Sequence, residues 1–204
     1  MSFASLIVGA ISTACRIAAT VLKISGVLEV IKVVGKALCE IGQSLGILPP
    51  DKEIEDIGDQ AFQAEEAGIK PENYDNYEDY KKAVESFKVD PERSSQLTPE
   101  QKIQKALEYE SIGFCMRFPE FPVERIFTTI AENSKYFTPE RTAQLGTLLK
   151  DNADFLVDVT DVISGNEKNL DKVSSVFDIL ANVEKSIQPG ITDAEAQKRI
   201  ADCL

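Results

Sequence analysis

Met1–Leu48 reads MSFASLIVGAISTACRIAATVLKISGVLEVIKVVGKALCEIGQSLGIL, and the way this stretch folds decides the rest. Turned at about 100° per residue, Ser5, Gly9, Ser12, Thr13, Arg16, Thr20 and Lys23 share one narrow stripe, while Leu6, Ile7, Val8, Ile11, Ile17 and Leu22 occupy the remaining circumference. Ser25, Glu29, Lys32, Lys36, Glu40 and Gln43 form a second narrow stripe, which on one continuous helix would point the opposite way. A break between the two halves removes the conflict. Gly26 suits a left-handed helix end and Ser25 suits a cap on the second helix, so the pair reads as a hinge and Met1–Leu48 as an apolar helical hairpin.

Each helix of this hairpin carries far more apolar surface than the stripe an ordinary surface helix needs. Three sinks are open to it: the chain's own core, a protein partner or second copy, and lipid. The longest uncharged run, Met1–Cys15, falls short of the roughly 20 residues of a span, and Arg16 follows at once. If the surplus surface meets a partner or a membrane, Leu6, Ile7, Ile11, Ile17 and Leu22 are the residues that carry the contact.

The 204 residues carry a net charge of −12, unevenly placed. Met1–Leu48 has four basic residues against two acidic ones, +2, which leaves −14 for the remainder. From Asp51 to Glu110 there are 17 acidic and 8 basic residues, a net of −9. Such a body is a poor match for nucleic acid, whose phosphates need a basic surface. The chain has no histidine, which removes histidine-dependent triads, histidine-ligated zinc and haem, and the usual near-neutral general base. Cys15, Cys39, Cys115 and Cys203 lie far apart with no CxxC spacing, and no calcium-loop pattern occurs, so neither a metal nor a cofactor is expected. Glu108, Glu110, Glu120 and Glu124 do not by themselves make an acid/base pair. Met1–Cys15 lacks a basic leader region and a clear cleavage site. The expected location is therefore cytoplasmic, with secretion without a cleaved signal or membrane association as the alternatives.

Pro49–Pro50 closes the hairpin and predicts the one domain boundary, between 1–48 and an acidic helical domain over 51–204. Beyond it, Asp51 is expected to cap a helix running to Ala67, with Gly68 past its end. Tyr77, Tyr80, Val84 and Phe87 mark a helix to about Lys88, and a polar linker follows near residues 89–97. Thr98-Pro99-Glu100-Gln101 is a strong helix start, repeated at Thr138-Pro139-Glu140 and, as a capping box, at Thr192–Glu195. Tyr74, Tyr77 and Tyr80 among acids, and the phenylalanines of Phe114–Phe127 around Pro119 and Pro122, read as packing residues rather than docking patches. One helix is expected to run through Leu145–Ile163 to Gly165, then Leu170–Ile187 and Asp193–Cys203. The expected fold is all-α: an apolar N-terminal hairpin followed by an acidic multi-helix bundle, seven to nine helices in all.

Gln63–Gly113, with Ala-Glu-Glu-Ala-Gly-Ile-Lys-Pro-Glu-Asn-Tyr and Val-Asp-Pro-Glu-Arg-Ser, resembles uncharacterised bacterial helical proteins associated with secreted polymorphic toxins. The resemblance covers about a quarter of the chain and contains no catalytic motif. It implies an accessory, adaptor or assembly role. The expected function is a non-enzymatic helical interaction protein that binds a protein partner or itself through the hairpin, with membrane insertion of the same hairpin as the alternative.

Overall fold

Capping and breaking residues set most of the helix ends. In the computed structural model, which describes residues 3–150 and 152–204 and their side chains from residue 7 onward, α1 (Phe3–Ser25) stops where Gly26 adopts a φ of +74°. A residue with a Cβ is strained there, so the glycine does the work expected of it. The cap does not fall on Ser25. Val27 precedes α2 (Leu28–Ser44) with no side-chain cap, and among the described residues the buried Ser25 hydroxyl has no partner.

After α2 the Pro49–Pro50 turn is tied down rather than left loose. Gln43 Nε2 donates to the carbonyls of Pro49 (2.9 Å) and Lys52 (2.8 Å), and the Tyr77 hydroxyl donates to the Ile47 carbonyl at 2.7 Å. Asp51 takes a φ of +60° inside this turn, so it does not cap α3 (Ile54–Glu66), which begins after Glu53. A 3-10 turn at Pro71–Asn73 leads to α4 (Tyr77–Ser86), capped by Asn76.

The expected linker contains a one-turn helix, α5 (Pro91–Ser94), capped by Asp90 and held on α3 by Gln63, which bonds both the N–H and the carbonyl of Asp90. α6 (Pro99–Arg117) starts with the full capping box of Thr98 and Gln101, and α7 (Val123–Glu132) follows Pro122. Thr138 caps α8 (Pro139–Leu149), and α9 (Asp154–Ile163) is a separate helix where one was expected to run through. The interruption surrounds Asn152, the polar residue that breaks the apolar register. α10 (Leu170–Ile187) is capped by Asn169, and α11 (Asp193–Cys203) by the box of Thr192 and Glu195. Among the described residues there are eleven helices and no strand, an all-α fold; the two beyond the expected range come from α5 and from the split of α8 and α9.

α6 organises the packing, with α1 and α3 along it and α2, α4 and α7 also against it. α3 comes close because Gly58 has no side chain; a methyl there would run into the Lys102 carbonyl. α2 lies mainly on α8, which packs with α10, and α10 receives α9 and α11. One hydrophobic core runs from Ala14 to Ile200 and includes Ile31, Leu38, Ile41 and Leu48. The division at Pro49–Pro50 is therefore a turn in the chain and not a break in the core. α1 and α2 do not form a self-contained hairpin, because α6 and α7 cover one side of α1.

Candidate functional site

α1 presents two contrasting faces. Ile7 (2% exposed), Ala10, Ala14, Ile17 (0%), Ala18 and Val21 recur at helical spacing and are buried within the chain. Val8 (66% exposed), Gly9, Ser12, Cys15, Arg16, Ala19 and Lys23 look outward. Arg16 and Lys23 are the only charges on this outer side, and Arg16 pairs with Glu124 of α7, Nη2 to Oε2 at 2.8 Å. Of the residues expected to carry a partner contact, Ile7 and Ile17 face inward, which corrects that expectation. α6 and α7 cover the side of α1 that carries Ile7 and Ile17, and the outer side stays uncovered. Ile11 and Leu22 are half-buried at the edge of the outer face, and the Leu6 side chain lies outside the described residues.

Beside Ile11 is a recess of about 140 Å³ floored by Ile11, Ala14, Tyr80 and Ile112 and rimmed by charges. Lys105 reaches from α6 to Glu65 and, at 3.1 Å, to Glu108. Burial works against the charge on Lys105, but the two carboxylates outweigh it and hold its pKa above the ordinary lysine value. The Cys15 thiol opens on the same recess. Burial, then Glu108, push its pKa up, so it stays protonated and is a poor nucleophile.

A second polar cluster joins α3, α5 and α6. Lys102 Nζ donates to Asp59 Oδ2 at 2.9 Å and to Ser94 Oγ at 3.0 Å, while the Ser94 hydroxyl donates to Asp59 and Gln63 donates to Asp59 Oδ1 at 2.7 Å. Burial raises the Asp59 pKa, but these bonds overcome it and the net shift is downward. The carboxylate is thus a weakened base, and the ammonium occupies the lone pair that Ser94 would use in attack. The cleft of about 450 Å³ that Asp59 and Ser94 line, with Lys52, Asp56 and Gln60, therefore holds a serine that is tethered rather than activated.

The remaining candidate carboxylates are scattered. Glu108 serves Lys105, Glu124 serves Arg16, Glu120 is exposed, and Glu110 is fully buried. Among the described residues no three His, Cys, Asp or Glu side chains converge as metal ligands would. The tyrosines and phenylalanines pack inward: Tyr77, Tyr80 and Tyr109 form one aromatic cluster, and Phe114 meets Phe127 edge to face at 5.5 Å.

The outer-face residues Val8, Cys15 and Ala19 were not singled out by the sequence reading, yet a signal existed. They flank Ser12, Arg16 and Lys23 at three- and four-residue spacing, and so share the side of the helix that the polar stripe marks. Comparison with known protein families, curated proteins and solved structures finds no match to this chain.

Proposed function

We propose that the protein is a non-enzymatic helical interaction protein, an adaptor, chaperone or assembly subunit, whose outward α1 face meets a protein partner or a second copy of the chain. One observation carries this reading: α1 is apolar enough to be a core helix, yet only seven of the 19 residues in Ile7–Ser25 are buried. A helix of this composition usually sits in a core or against another surface. The outer face offers Val8, Ser12, Cys15 and Ala19, with Ile11 and Leu22 at its edges, in place of the partner residues first expected to include Ile7 and Ile17. Its charges, Arg16 and Lys23, suit an acidic counterpart, a property of the body of the same chain. An accessory or assembly role is also what the resemblance read from the Gln63–Gly113 sequence would imply.

A membrane is the second reading. α1 is the one helix among the described residues long and apolar enough to cross a bilayer, though Arg16 stands within it.

A photo-crosslinking residue at Val8, compared with one at exposed Glu120, tests the proposal. The Val8 probe is expected to form a discrete protein adduct, a dimer of the 22.5 kDa chain or a single partner, that is lost on Ala19→Glu substitution. Equal backgrounds at both positions would contradict it. Adducts to lipid, with flotation on vesicles, would support the membrane reading.

A further inference from the structure

Two carboxylates in the described chain are 0% exposed, and they are treated very differently. Glu184 on α10 is gripped on both oxygens by the Arg141 guanidinium of α8, with Arg199 of α11 at 3.8 Å. Glu110 lies mid-way along α6, against Gly42 of α2, where a Cβ on the glycine would come within 2.6 Å of its Oε1. Among the described residues neither Glu110 oxygen has a hydrogen-bond partner. A negative charge in such a place has lost its water and gained nothing in return, whereas the neutral acid tolerates the site far better.

We infer that Glu110 is a proton-dependent lock between α2 and α6, closed by an uncharged carboxyl and opened with release of its proton, so that rising pH weakens it. Burial, the larger influence, drives the Glu110 pKa well above the usual glutamate value, and the nearby Gly42 backbone opposes it without closing a hydrogen bond. The titratable groups that face it are Cys39 of α2 and Tyr77 of α4, both held protonated by burial first, with Tyr109 and Tyr80 adding to the effect on Tyr77. Among the described residues no charged side chain bonds to it.

The sign follows from linkage. Below the ordinary glutamate pKa, folded and unfolded chains both carry the proton, and the lock is fully closed. As pH rises above that value the unfolded chain releases the proton while the folded chain keeps it, so stability falls with pH until the folded-state pKa is reached. Across that window the unfolding constant rises by up to about tenfold per pH unit.

The test compares denaturant unfolding of the wild type with Glu110→Gln, which keeps the shape and removes the charge, at a series of pH values from 5 to 8. The wild-type unfolding constant is expected to climb relative to that of the variant at each step. A ratio that stays constant over the series would overturn the proposal. Carbon-13 NMR of the Glu110 carboxyl in the native wild type decides the matter without the variant. A resonance at the protonated position at pH 7 supports the lock, and one at the ionised position ends it.

Discussion

The inward and outward faces of α1 are drawn from the same short list of small and aliphatic residues, yet they have opposite fates. Ile7, Ala14, Ile17 and Val21 disappear into the core, while Val8, Gly9, Cys15 and Ala19, one step around the helix, stay in contact with solvent. Composition alone does not separate them. What separates them is the position of α6 and α7, which cover one side of α1 and leave the other open. An apolar helix in a bundle can therefore be half structural element and half surface, and the surface half is the part whose composition the fold does not require.

Substitutions sharpen this contrast, and the largest effect belongs to the inner face. Ile17→Asp places an unpaired charge in a fully buried site and is expected to abolish folding, seen as loss of the cooperative helical melt; Ile17→Ala should cost about 2–5 kcal/mol in denaturant unfolding. A wild-type melt for Ile17→Asp would mean that the face is not buried. At the helix end, Gly26→Ala should cost about 1 kcal/mol, because φ is +74° there while, beyond the flanking residues, no described atom lies within 4 Å of the added methyl. The effect is thus purely conformational, and an unchanged midpoint would argue for a different path between α1 and α2. The smallest change is expected for Arg16→Ala on the outer face. The ion pair with Glu124 is exposed on both sides, so its loss should cost at most about 0.5 kcal/mol in the same assay, and less at high salt.

Local signals were the legible ones. Thr98, Thr138 and Thr192 cap the helices they were expected to cap, and Gly26 ends α1, because a cap or a left-handed glycine acts within one turn of chain. The packing roles of Tyr77, Tyr80, Phe114 and Phe127 were also readable, since large aromatic side chains at helical spacing ordinarily turn inward. Features made by distant segments were not readable. Asp51 resembles a cap in its neighbourhood, but the Pro49–Pro50 turn is pinned by Gln43 and drives Asp51 to positive φ. The one-turn helix at Pro91–Ser94 exists because Gln63 and Asp59 of α3 receive it, and the burial of Ile7 and Ile17 because α6 and α7 return to α1. The outward face differs from the expected contact residues for this reason: periodicity places the polar stripe of α1 but does not say what covers the opposite side.

The outer face of α1 is proposed to be dispensable for folding and needed for association. The direct measurement is the helicity, melting midpoint and sedimentation mass of the double variant Val8→Glu/Ala19→Glu beside the wild type, alone and with any partner captured at Val8. The account predicts a variant with wild-type helicity and a stability within about 0.5 kcal/mol of wild type that has lost the wild-type association. A variant that fails to fold, or one that folds and associates as the wild type does, would contradict it.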